Sequence, residues 1–468
     1  MDQTYIDTAH LLRRAGFGAD PATIRKAALA GLSATTDSLL NPERTPENLN
    51  DDATVARLTA LLPETKNGGT PTQAVKMWWT HRMIASPRSL QEKMTLFWHG
   101  HFTSKDGVTA GDFLYKQNQL LRRNCLGNFR TLTLAVARDP EMLRYLNGNQ
   151  NHKAHPNENF ARELMELFTC GIGNYTEDDV KAAARAFSGW NMRGREFGFN
   201  SNQHDNEPKT FMGKTGNWNG DDIVDMLVAH PATAKRLCTK LFTYFAYPNP
   251  EPAVIDALVR TYYASGYDIK ALMSRIFHSA AFYSEKARLA VIKSPAQYVV
   301  GTIKLLGLEK AVELVLTDIT PANDVAVAPD ASRGKNRRLG VLAGLPQAMR
   351  NMGQDLLAPP TVKGWDGGEN WINTSTLLAR ISFAEIASHS RQLFGGSYPT
   401  LLGFLAQNAL NPESWVDYLA ETLGPLPLTP STRQTLIDYV HSAGPLSQEE
   451  RLRGVIPLLM STPEYQVC

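Results

Sequence analysis

Along most of the chain apolar residues return every three or four positions, the spacing that lines one face of an α-helix. Leu11, Leu12 and Ala15 open the pattern, and Val75, Trp78, Trp79 and Met83 carry it through 74–85. The same period predicts helices over 90–102, 113–124, 157–170, 177–190, 221–230, 233–245, 252–265 and 268–277. Further helices follow over 295–306, 339–349, 374–388, 414–423, 431–442 and 448–460. Thr176, Asn219 or Gly220, and Ser447 stand just before acidic first turns, which favour the positive end of a helix dipole. Exceptions are local. Phe197 and Phe199 alternate among Gly, Asn and Pro, so 195–213 predicts one short β-hairpin or irregular insertion. Segment 358–371, with Pro, Gly and two tryptophans, reads as a structured loop, while 64–71 and 319–337 read as flexible.

The expected fold class is therefore all-α, a large multi-helix assembly. Its expected division is a helical domain over 1–390 and a C-terminal helical lobe over 391–468, packed on the same core or beside it. No repeat of fixed period interrupts it.

Of all the predicted helices, the one beginning HPNENFARELMELF separates its faces most sharply. Phe160, Leu164, Leu167 and Phe168 form an apolar stripe, and Glu158, Asn159, Arg162, Glu163 and Glu166 lie opposite it, about one turn apart. A solvated helix surface has this composition too, with Glu158 and Arg162 as an ordinary i,i+4 pair. If the face lines a cleft, Glu163 and Glu166 repel each other and one carboxyl keeps its proton, giving an acid beside a base. Glu158, near the positive end of the dipole, is expected to stay ionised.

Three other clusters carry candidate chemistry. FWHGHF holds His99 and His101, which two helical positions turn about 200° apart, so they reach one metal only if Gly100 breaks the helix. Otherwise they are packing histidines among aromatics. HDNEPKTFMGKTG offers His204 and Asp205 in a Gly-containing loop that completes a cleft or merely covers the surface. Its GKTG lacks the upstream glycines and strand of a phosphate loop, which excludes a nucleotide hydrolase of that class. PPTVKGWDGGENW sets Trp365 and Trp371 among glycines, either as a platform for a sugar or peptide or as staples to the core.

Composition narrows the partners. With 48 basic and 46 acidic residues the formal charge is +2, so no overall field argues for nucleic acid. The four cysteines, Cys125, Cys170, Cys238 and Cys468, are too scattered for a disulfide framework or a CxxC metal site. No secretory signal precedes HLLRRAGFG and no run is long enough to span a membrane, so the expectation is a cytoplasmic protein, or an exported one whose leader has been removed.

Taken together, HLLRRAGFG, FWHGHF, HPNENFARELMELFTCGIGNYTEDDVKAAARAFSGW, HDNEPKTFMG, NGDDIVDMLVAHPATAKRLCTKLF and MGQDLLAPPTVKGWDGGENWINTSTLLAR resemble the bacterial family known as domain of unknown function 1800. Asp366 departs from the family pattern, which commonly has proline there. The resemblance implies a mostly helical fold. It also implies that His99, His101, His155, Asn157, Glu158, Asn159, Arg162, Glu163, Glu166, His204, Asp205 and the Gly364-Trp365 loop are family features. Its further implication is metal-independent cleavage of heavily glycosylated, mucin-like proteins by paired glutamates.

The expected function is therefore a hydrolase of a glycan or O-glycosylated peptide, without cofactor, with Glu158, Glu163 and Glu166 supplying the acid and base. His99, His101, His155, Asn159, Arg162, His204, Asp205 and Trp365 are the expected substrate contacts. Two alternatives stand beside it. One is a metal-dependent hydrolase built on His99, His101, His155 or His204 with a carboxylate. The other is a non-catalytic scaffold or partner-binding protein in which these groups form an ion network.

Overall fold

The structure, a computed structural model, describes residues 2–65, 69–107, 110–318, 331–389, 411–442 and 448–468. The helical period resolves first into α1 (Gln3–Ala15), α2 (Pro21–Ala30), α3 (Leu32–Leu40), α4 (Asp51–Ala60), α5 (Thr72–Ala85), α6 (Ser89–His101), α7 (Gly111–Asn124), α8 (Phe129–Ala137) and α9 (Pro140–Tyr145). Then come α10 (Asn159–Glu163), α11 (Glu177–Ala186), α12 (Gly220–Ala229), α13 (Pro231–Phe245), α14 (Pro252–Ala264) and α15 (Ile269–Phe277). Beyond these lie α16 (Pro295–Leu305), α17 (Glu309–Asp318), α18 (Ala331–Asn351), α19 (Thr374–His389), α20 (Pro412–Thr422), α21 (Pro430–Ser442), α22 (Gln448–Met460) and α23 (Pro463–Gln466). Thr176 and Asn219 each close a capping box on the acid three residues later, which is why α11 and α12 begin where they do. Among the described residues no helix is long and apolar enough to cross a membrane.

Three expectations need correction. The predicted single hairpin is two: β1 (Trp190–Arg193) pairs with β2 (Glu196–Phe199), and β3 (Lys209–Phe211) pairs with β4 (Lys214–Gly216). The second turn has positive φ at both Met212 and Gly213, the primed geometry that matches strand twist. The helix over 157–170 is α only to Glu163 and continues as a π-helix over Leu164–Phe168. There the Thr169 hydroxyl caps the Leu164 carbonyl five residues back (2.6 Å), which holds the wider turn in place. The 319–337 segment is helical from Ala331 onward, while 319–330 lie outside the described residues, as do 66–68 of the segment expected to be flexible over 64–71.

Buried apolar side chains gather into two large cores. One joins α6 to α8 and α10 through α15, with Trp98, Phe129, Phe168 and Tyr262 near its middle. The other joins α5, α16, α18 and α19 to the C-terminal helices through Trp78, Tyr298, Phe383, Trp415 and Leu459. The expected boundary at 390/391 falls within 390–410, outside the described residues. Helix α6 contributes to both cores, through Met94 and Trp98 to the first and Leu96 to the second. Only Ser89, Gln91 and Gly100 of its thirteen residues escape full burial. A helix apolar on several sides must sit inside the protein.

Two devices fix α6. Near its start Glu92, fully buried, accepts from Arg82 of α5 (2.8 Å) and takes a two-pronged grip from Arg122 of α7 (2.6 and 2.9 Å). Arg82 in turn reaches Glu47 (2.5 Å) and both oxygens of Asp51 (2.8 Å). At its end Gly100 faces the Gly364 loop. Gly364 has φ +92°, and a side chain there would place its Cβ 2.6 Å from the Gly100 carbonyl oxygen. The Thr103 hydroxyl donates to the Val362 carbonyl and seals this seam.

Replacing Glu92 with Gln leaves two buried guanidinium groups short of one negative charge, so Glu92→Gln is expected to cost about 3–5 kcal/mol of unfolding free energy. Urea unfolding should show a lowered midpoint, and an unchanged midpoint would refute this role. Gly364→Ala meets both the backbone clash and the positive φ, with an expected cost of about 1–3 kcal/mol. Its tryptophan emission should move to the red as the loop lifts from α6, whereas an unshifted spectrum and midpoint would contradict the close contact.

Candidate functional site

The predicted site residues divide among three places. The first is a cleft at the end of α6. Gly100 stays inside the helix, so His99 and His101 point to different surroundings, as their spacing requires when no break intervenes. His99 is buried edge-on to Trp79 (5.2 Å between centroids) and close to Trp365 (5.7 Å). Burial, then the Lys76 charge, pushes its pKa down to about 4, so it is a neutral ring near neutral pH. Its Nε2 has no hydrogen-bond partner among the described residues.

His101 is equally buried but fully engaged. Its Nδ1 lies 3.1 Å from the Lys240 ammonium and its Nε2 lies 3.0 Å from the Phe168 carbonyl. An ammonium can only donate, which assigns the proton of His101 to Nε2. Burial and then the Lys240 charge hold the His101 pKa well below the usual value. Burial also lowers Lys240 itself, to about 8, with Arg236 and Lys363 adding to the effect.

The cleft beside His101 holds about 680 Å³. Phe97, Tyr244, Trp365 and Trp371 provide aromatic wall, and Arg14, Lys93 and Lys240 bring positive charge to it. That volume falls in the range of small-ligand sites. Lys76, paired with Asp355 at 2.5 Å, ties α5 to the segment leading into the tryptophan loop.

The second place is the polar face of α10 and the π-helix. Arg162 makes a two-pronged pair with Glu177 of α11 (2.7 Å on both arms) and a longer contact to Glu158 (3.1 Å). Glu158 is therefore taken up by an exposed ion cluster. Glu163 and Glu166, both partly exposed, are the carboxylates left on the face. Burial raises the Glu163 pKa above the ordinary glutamate value, and the negative charge of Glu166 raises it further, against a smaller opposing effect of Arg162. Glu166 accepts a hydrogen bond from the Tyr175 hydroxyl at 3.0 Å. The two neighbouring carboxyls thus differ in surroundings: Glu163 is raised by burial and by Glu166, while Glu166 is bonded to Tyr175. Asn159 bonds through its backbone N–H to the Asn157 side chain at 3.0 Å, part of the turn that starts the helix.

The third place is the loop packed on the far end of α11. Asp205 pairs with Arg185 (2.6 Å) and is held below the usual carboxylate range by it, although partial burial opposes the shift. Nδ1 of buried His204 lies 2.8 Å from the Ser188 carbonyl, and its ring meets Phe199. His155 is exposed and faces His152 (5.8 Å between centroids). Glu177 and Arg185 are eight residues apart on α11, about 12 Å of helix, so Asp205 does not join the glutamates. Asp205 is thus half of an ion pair, His204 is packed in the loop and His155 lies at the surface.

The predicted residues are therefore not one constellation. Among the described residues no three or more His, Cys, Asp or Glu side chains come together to hold a metal ion. Sequence reasoning missed Arg14, Lys93, Lys240 and Cys468 of the cleft, and Glu177, Tyr175 and Tyr145 around the acids. Arg14 and Lys93 stand within conspicuous stretches, RRAGFG and QEKMTLFWHGH, but no spacing rule couples them.

The sequence pattern of the family described as "Protein of unknown function (DUF1800)" matches residues 10–467. No curated protein and no solved structure matches the chain. With nearly its whole length matched, the chain belongs to the DUF1800 family.

Proposed function

We propose that this member of the DUF1800 family is a hydrolase in which Glu163 is the general acid and Glu166 its ionised partner, acting on a glycan or an O-glycosylated peptide. The observation that carries this reading is the split between two neighbouring carboxyls. Glu163 is pushed toward its protonated form by burial and by Glu166, while Glu166 accepts a hydrogen bond from the Tyr175 hydroxyl. Hydrolysis of a glycosidic or acyl bond needs such a pair, one group to protonate the leaving atom and one to activate water or attack.

Position supports a large substrate. Both acids lie on a partly exposed face, so a polymer can be laid across them without entering a deep pocket. The π-helix supports a special role for this turn, because such distortions concentrate at functional sites. Arg162, locked between Glu158 and Glu177, holds the face in shape and leaves Glu163 free of a direct salt bridge. Trp365 lines a cleft that neither acid lines, so it is not assigned to stack on sugar at these acids. The class of substrate rests on the family resemblance.

Glu163→Gln keeps the side-chain shape and removes the titrating oxygen. With a mucin-type O-glycopeptide as substrate and mass spectrometry as readout, it is expected to lower kcat by about 10²–10⁴-fold with an unchanged circular dichroism spectrum. In the wild type, kcat/KM should fall as pH rises through the elevated Glu163 pKa, since only the protonated form donates, and this limb should be missing in the variant. A wild-type protein that leaves a glycan and glycopeptide panel intact would overturn the assignment. So would a folded Glu163→Gln protein that cleaves at the full rate.

A further inference from the structure

Cations accumulate behind the aromatic cleft. Arg13, Arg14, Lys93, Lys293 and Arg380 are all buried, and no Asp or Glu side chain among the described residues lies within salt-bridge distance of any of them. Their hydrogen-bond partners among the described residues are neutral. Arg14 donates to the carbonyls of Phe245 (3.0 Å) and Tyr244 (2.7 Å), Arg13 to that of Gly424 (2.6 Å), and Arg380 to that of Lys293 (2.7 Å). Lys93 donates to the Gln297 amide oxygen, and Lys293 sits over the Tyr465 ring at 3.4 Å. Arg14 also bonds, through Nη1, to the sulfur of the weakly acidic Cys468 thiol at 2.7 Å.

Collecting buried charge of one sign costs several kcal/mol per ion unless an opposite charge arrives. Burial pulls Lys93 down to about 7, whereas the surrounding cations pull Cys468 below its usual value despite burial. Arg14, Lys93 and Cys468 all line the 680 Å³ cleft, with Lys240 further along it. The carboxylates at its rim, Asp366 and Glu369, are exposed, and Asp366 is already paired with Lys363 at 2.6 Å. The seat is basic and the walls are aromatic.

We propose that this cleft binds a small ligand carrying an oxyanion on a ring-shaped body. The oxyanion sits against Arg14 and Lys93, and the ring lies along Phe97, Tyr244 and Trp365. Carboxylate and phosphate share the required chemistry, namely acceptor oxygens with negative charge facing a fixed guanidinium and an ammonium. Neither Glu163 nor Glu166 lines this cleft, so the proposal does not rest on the hydrolase reading, and a Glu163→Gln protein should bind the same probes as the wild type.

Phenyl phosphate and phenylacetate, titrated at constant ionic strength, test it through the fluorescence of Trp365 and Trp371 and through the thermal midpoint. At least one should quench emission saturably and raise the midpoint, and the tighter of the two identifies the headgroup. Lys93→Met removes a buried uncompensated cation, so its ligand-free midpoint should equal or exceed that of the wild type. Its affinity should fall by about 10- to 100-fold, the worth of one charged hydrogen bond. If Lys93→Met does not fold, Lys93→Gln, which keeps a polar side chain in the same place, decides by the same loss. Absence of saturable binding of either probe below about 10 mM, or unchanged affinity in a folded variant, would overturn the proposal.

Discussion

The structure depends on how α6 is held. Glu92 has no solvent to stabilise its charge, so the Arg82 and Arg122 guanidinium groups must supply that stabilisation from two flanking helices. Arg82 in turn needs Glu47 and Asp51. This locked cluster sets the height and rotation of a helix that also presents Lys93 at the next position and His99 and His101 about two turns further on. At the far end the Gly100–Gly364 contact brings the tryptophan loop against the same helix. Between those two anchors no residue of α6 can turn without breaking packing in one core or the other.

A contrast in charge follows along α6. Around Glu92 the arginines are matched by carboxylates, whereas around Lys93 the cations meet carbonyls, an amide and a thiol. Adjacent positions on one helix therefore look into a satisfied network and an unsatisfied one. His101 joins this region to the acidic face, since one nitrogen meets Lys240 of the cleft and the other the carbonyl that ends the π-helix. Neutral in both contacts, it serves as a spacer rather than a charge.

Helical periodicity made the architecture legible, and local capping chemistry made the starts of α11 and α12 legible, because both depend on residues within one turn of each other. The polar face around Glu163 was legible for the same reason. Its π-helix was not, because that turn is set by Thr169 and Gly171 bonding back past the helix end. Glu177 and Tyr175, which divide the acids between an ion cluster and a coupled pair, come from the next element. The cleft was the least visible. Arg14 and Cys468 meet across 454 positions of sequence, and no local spacing records a contact of that range. Where His99, His101, His204 and Trp365 stand relative to the glutamates was not legible either, because motifs that recur together in a chain need not converge in space.

A substrate is not required to examine the claim that two coupled carboxyls divide a proton's work. Selective ¹³C labelling of glutamate and NMR titration of the carboxyl carbons would follow Glu163 directly, with its signal assigned by Glu163→Gln. The account predicts that Glu163 titrates above the ordinary glutamate value in the wild type and moves down toward it in Glu166→Gln, where the neighbouring negative charge is gone. A Glu163 signal that titrates at the ordinary value, and does so identically with and without Glu166, would contradict it.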